Sequence, residues 1–134
     1  MALSKDQIFG ASDRKVEVVP VPEWGGDVIL KTISGTDRDA FEDSLSTVDE
    51  DGNYQPNILN ADARLLVKCI VDEDGNRVFS DGDADSLGSK SAPVLARLAR
   101  KARELNSIGL DVKAAVDEAG KDSEPDPAED STSD

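Results

Sequence analysis

The hexapeptide Val-Asp-Glu-Asp-Gly-Asn occurs twice, at residues 48–53 and 71–76. Clustered carboxylates around a glycine are what an oxygen-liganded calcium loop needs, so the spacing is the test. With Gly75 in the loop's glycine position, Ile70 falls where the first carboxylate belongs. With Gly52 there, Thr47 comes first and Ile58 last, where a bidentate Glu is required; with Gly82, Arg77 comes first. Both copies therefore read as turns that follow helices, since Asp, Gly and Asn suit chain reversals. No metal site and no cofactor is expected. Carboxylates are abundant, yet nothing singles out an acid/base pair. The chain has no histidine and one cysteine. Cys69 sits in an apolar helical pattern with no base to generate a thiolate, so it reads as a small packing residue. No phosphate-binding glycine loop, nucleophile elbow or zinc spacing is present. No catalytic residue is assigned, and a protein that works by binding is expected rather than an enzyme.

Two side-chain groups could meet a partner. Trp24, beside Gly25 and Gly26, is the sole tryptophan. It reads either as a plug closing a hairpin against a helix or as an exposed anchor, and the plug is favoured because lone aromatics usually pack. Arg97, Arg100, Lys101 and Arg103 could meet phosphates, but a solvated helix face pairing with the chain's own surplus acids is the preferred account.

The formal charge is −14, of which −5 falls in residues 121–134. Such a chain repels nucleic acid and anionic membranes, so neither is expected as a partner. No apolar run approaches a membrane span, and the start Met-Ala-Leu-Ser-Lys-Asp lacks the features of a signal peptide. A lone cysteine is compatible with a reducing compartment. Apolar residues make up 37% and aromatics 4%, so the core must be aliphatic.

The positioning elements follow from spacing. Ser4 and Gln7 form a capping box for a short helix stopped by Gly10. Lys15–Pro20 alternates as a strand, Trp24–Asp27 turns, and Val28–Ile33 returns as a second strand. A helix capped near Ser34 or Thr36 carries Ala40, Phe41, Leu45 and Val48 on one face. Residues 49–57 read as a polar loop. A helix from about Leu59 to Val71 buries Ile58, Leu65, Leu66, Cys69 and Ile70. Val78-Phe79 is read as a third, edge strand, and Ser80–Gly88 as a short capped helix. Ser91 and Pro93 open the strongest helix, with Val94, Leu95, Leu98, Ala102 and Leu105 on one side. The expected fold is α+β: a small antiparallel hairpin or sheet (15–33, joined by 77–79) against three to four helices. The core is expected to hold Val18, Ile29, Phe41, Leu45, Leu65, Leu66, Cys69, Ile70, Leu95, Leu98 and Leu105, although alternation leaves open which strand face points inward. Residues 1–109 are expected to form the single domain, 110–120 a weak helix or linker, and 121–134 a disordered acidic tail.

The strings Pro22-Glu-Trp-Gly-Gly26, Leu30-Lys-Thr-Ile-Ser-Gly35 and Arg38-Asp-Ala-Phe-Glu42 resemble the tail assembly chaperone family of long-tailed bacteriophages, of the kind common in actinobacterial phages. Leu66-Val-Lys-Cys-Ile-Val-Asp-Glu-Asp-Gly-Asn-Arg-Val-Phe-Ser80, Leu87-Gly-Ser-Lys-Ser91 and the helix to Asn106 continue the resemblance, which covers about residues 1–109. It implies a non-enzymatic protein of the infected host's cytoplasm, absent from the mature virion. Such proteins bind the long, mostly helical tape measure protein and keep it soluble while tail tube subunits polymerise around it. The family also commonly makes a longer, frameshifted product that recruits the major tail protein. Ala119-Gly120-Lys121 can be encoded by GCG-GGA-AAG, which contains the slippery heptamer GGGAAAG, so slippage is expected at Gly120-Lys121. The resemblance transfers no binding residues. On physical grounds the candidates are apolar groups left over once the core closes: Trp24, Phe79, Leu110 and Val112.

Two other readings stand beside this one. An acidic inhibitor or decoy mimicking nucleic acid would need its acids arrayed on one folded face. A calcium-dependent structural module would need a metal-dependent gain in stability. Self-association is left open by the sequence.

Overall fold

The computed structural model describes residues 1–109, and the expectations for 110–120 and 121–134, including Leu110 and Val112, lie outside them. The fold is α+β. Its organising piece is a three-stranded antiparallel sheet in the order β1-β2-β5, from β1 (Val16–Val21), β2 (Gly26–Lys31) and β5 (Ile70–Val71). β1 and β2 are joined by a single 3-10 turn at Pro22–Trp24, closed by Gly25 at φ 81°. A left-handed residue is needed there, and glycine takes it without a Cβ clash. Packed against the sheet are α3 (Ala61–Cys69), α4 (Ala84–Leu87) and α5 (Ala92–Asn106), with α2 (Gly35–Asp43) beside α3.

The caps read from the sequence are present. Ser4 and Gln7 exchange side-chain and backbone hydrogen bonds at the start of α1 (Lys5–Gly10), and the Ser34 hydroxyl accepts from the Asp37 N–H at the start of α2. The helices bury one face each. Phe41 comes from α2, Leu65, Leu66 and Cys69 from α3, and Leu98 and Ala102 from α5, all against Val19, Val21, Leu30 and Ile70 of the sheet. At the far end of α5 the buried place goes to Asn106 rather than Leu105, which is half-buried. Asn106 Oδ1 accepts from the Ile33 N–H at 2.8 Å, and its Nδ2 donates to the Ala102 carbonyl at 2.8 Å and towards Cys69 Sγ at 3.6 Å. This amide ties α5 to the end of β2 and satisfies its own polar atoms, the condition for burying them.

Four expectations need correction. Val18 and Ile29 are not core residues. The inward parity of β1 is Glu17, Val19 and Val21, and Leu30 is its fully buried counterpart on β2; Val18 and Ile29 face each other on the outer surface. The charged Glu17 disguised the inward set. It sits half-buried at the edge, with its carboxylate 3.6 Å from Lys101 Nζ of α5. Second, the third strand is Ile70–Val71, the continuation of α3, and not Val78-Phe79; Arg77 contributes a single bridge to Val71. Third, Ile58 is exposed, since α3 begins at Ala61 after Asn60. Fourth, residues 49–57 are not all loop: β3 (Ser46–Val48) and β4 (Tyr54–Pro56) form a hairpin exposed on both faces, which no apolar alternation could announce. Leu45 is half-buried beside the core.

Candidate partner-binding groove

Both hexapeptides make the same reversal, and each follows a strand rather than a helix. Asp49 Oδ1 accepts from the N–H groups of Asp51 and Asn53, both at 2.9 Å, and Asp72 Oδ1 accepts from Asp74 at 2.9 Å and Asn76 at 3.0 Å. Gly52 and Gly75 stand at φ 83° and 86°. The leading carboxylate of each copy is thus spent on its own backbone. For Asp49 these bonds, the one from Asn53 foremost and then that from Gln55, hold the carboxyl below the usual range. Among the described residues no three acids, cysteines or histidines gather as a metal cluster. Cys69 is fully buried, and burial pushes its thiol up to about 12, so it is no nucleophile at neutral pH.

The cations of α5 are drawn into the fold. Arg97 forks onto Glu23 at 2.8 and 2.9 Å, Lys101 reaches Glu17, and Arg103 pairs with Asp62. The Arg97 fork lowers Glu23 to about 2. It also pins the turn that carries Trp24.

With the helices on one face, the other face of the sheet is left apolar and open. Val18 is directly opposite Ile29, and Ile29 is opposite Val71, which makes an apolar row across all three strands. Trp24 closes one side. The chain leaving the turn after β5 brings back Val78 and Phe79 as another wall. The result is a groove of about 750 Å³, and its only charged lining groups are Asp27, Asp72 and Glu73. On the other side of Trp24 and Phe79 a second hollow of about 390 Å³ extends to Ser86, Leu87 and Lys90. Val18 is 55% exposed, Val78 54% and Trp24 36%. Trp24 is therefore not the buried plug favoured from the sequence; it stands as a partition with one side packed and the other wet.

Of the four sequence candidates, Trp24 and Phe79 are brought together as the shared wall of the two hollows, and Leu110 and Val112 fall outside the described residues. Val18, Ile29, Val71 and Val78 were missed. The available signal was a strand pair apolar on both faces, since an antiparallel sheet with one solvated face alternates apolar with polar. A continuous apolar patch of this kind marks a docking surface.

Comparisons with known proteins point the same way. The model of the phage tail assembly chaperone family matches residues 2–122. No curated protein matches the chain. Among solved structures the chain is similar to the tail assembly chaperone of bacteriophage HK97, with 27% sequence identity, a TM-score of 0.53, and 75% of this chain and 90% of that chain covered. The match spans nearly the whole sequence and includes the sheet, the Trp24 turn and α5: the chain belongs to the phage tail assembly chaperone family.

Proposed function

We propose that this chain binds the tape measure protein in the host cytoplasm and keeps it soluble during tail tube assembly, with no chemical step of its own. The observation that carries the proposal is the apolar groove on the outer sheet face. A long helical polymer with apolar stripes self-associates unless those stripes are covered. A groove walled by Trp24, Phe79, Val18 and Val78 offers a place for such a stripe, in the manner of a helix laid into a groove. The acids at its rim and the chain's net charge of −14 keep the complex dispersed. Many copies along one polymer supply avidity while each contact stays weak enough to release. A longer product made by slippage at Gly120-Lys121 would bring in the major tail protein, and neither product would remain in the virion. The decoy reading is less favoured, because Glu17, Glu23 and Asp62 are engaged by cations of α5 instead of being displayed.

The test is co-expression with the adjacent tape measure protein. The chain is expected to raise that protein's soluble fraction, and Val18→Asp combined with Val78→Asp to abolish the gain. A soluble fraction that is the same with and without the chain overturns the proposal. Codons at 119–121 that spell no slippery heptamer remove the frameshift.

A further inference from the structure

The N-terminal arm has everything a docking element needs except a dock. α1 is a six-residue helix with both halves of its capping box made and no buried residue. An isolated helix this short is marginal in water, so its elaborate start is a preparation for contact. Leu3 and Ile8 occupy the two positions of a hydrophobic staple around the Ser4 cap. Ile8 and Phe9 lie three and four residues after Lys5, so the three share a face. Phe9 is 78% exposed, and Leu3 and Ile8 are exposed as well. The five residues Ala11–Lys15 then lead into β1.

The charge of the arm is opposite to that of the body. Over residues 1–15, Lys5, Arg14 and Lys15 outnumber Asp6 and Asp13, in a chain whose total is −14. The groove is the complement: an apolar floor with three carboxylates and no cation among its lining residues. No arm residue lines its own groove. We infer that the arm of one copy docks in the outer-sheet groove of a second copy, with Ile8 and Phe9 on the Val18–Ile29–Val71 row and Lys5 facing Asp27, Asp72 and Glu73.

Such a contact joins two different surfaces, so it propagates from copy to copy as a ring or an open chain. Free copies shield one another's grooves, and a tape measure helix gains access by displacing an arm. The inference shares with the proposed function only the reading of the groove as a docking surface, and it is tested without any other tail protein.

The test uses the full chain in sedimentation and in fluorescence, because Trp24 is the only tryptophan and stands in the groove wall. Self-association and a blue shift of Trp24 emission are expected to rise together with concentration. Ile8→Ser with Phe9→Ser on the arm, or Val18→Asp with Val78→Asp in the groove, is expected to weaken association by roughly tenfold or more, as loss of an apolar anchor does. All four positions are solvent-exposed, so the folded state survives. Mixing the arm variant with the groove variant restores one intact arm and one intact groove, and the expected product is a one-to-one pair with no larger species. A chain that stays monomeric at high concentration, a Trp24 shift independent of concentration, or association unchanged in either variant overturns the inference.

Discussion

Arg64 sets the position of the exposed β3–β4 hairpin, and its removal is the sharpest test of how this fold is held. The hairpin contributes no buried residue, and a two-stranded ribbon alone is marginal in water. Its ends are fixed from α3. The Arg64 guanidinium donates to the carbonyls of Ser44 and Asn57, to Ser44 Oγ at 2.8 Å and to the Leu59 carbonyl at 2.9 Å. One half-buried side chain thus ties both ends of the segment to one helix. Charge-assisted bonds contribute about 1.5–3 kcal/mol each in isolation. Here the four share one cation, and the Ser44 carbonyl keeps a donor in Asn57 Nδ2 at 3.1 Å. Water also reaches the freed oxygens at this surface, so the net loss for Arg64→Met is about 2–4 kcal/mol. Arg64→Lys keeps the charge but not the fork, and should fall between. Urea unfolding gives the global change. Hydrogen exchange at Asn57, whose N–H donates to the Leu45 carbonyl at 2.8 Å, gives the local one and should accelerate more than the core of α3. The control is Arg38→Met, which breaks only an exposed pair with Glu42 and should stay within about 0.5 kcal/mol. If Arg64→Met is as mild as that control, the hairpin is held by something else and the reasoning fails.

Further outcomes follow from the same geometry. Ser107 ends α5 at φ 57°, a conformation that strains a residue with a Cβ, so Ser107→Gly should raise stability by about 0.5–1 kcal/mol in urea melts. Asp49, Asp81 and Glu23 have folded-state values below the usual carboxylate range, Asp81 chiefly through Arg77. Their contribution is complete above the unfolded carboxylate range and fades as pH falls through it; for Glu23 the decline continues to about pH 2, so Glu23→Gln should flatten the acid limb of a stability–pH curve. Cys69 should resist a thiol reagent in the native chain at pH 8 and react in guanidinium; brisk native labelling would contradict its burial.

The sequence revealed what is local. The cap at Ser4, the cap at Ser34, the Pro93 start of α5 and the glycine turns depend on neighbours within four residues, and each lies where spacing placed it. What it concealed is relational. Val18 and Val19 are both valines, and only the helices that arrive from residues 61–106 decide which one is covered. Val71 joined the sheet because α3 ends beside β2, an event fixed by tertiary packing. Arg64 carries no sequence signal, since its acceptors are main-chain carbonyls from two distant stretches. The groove was half legible: Trp24 and Phe79 were candidates, but the floor of the site was assigned to the interior.

The two Asp-led reversals also bear on how the chain finds this shape. Each closes on itself within five residues, so each is expected to form within microseconds of synthesis or dilution, well before the sheet exists. The pairing of Ile29 with Val71 spans some forty residues and must wait for a large loop to close. Substitutions at Asp49 or Asp72 should therefore slow refolding, while substitutions at Val71 should chiefly hasten unfolding. The last strand to zip would also be the one that completes the floor of the groove, which would leave the receiving surface unfinished until the rest of the molecule is in place.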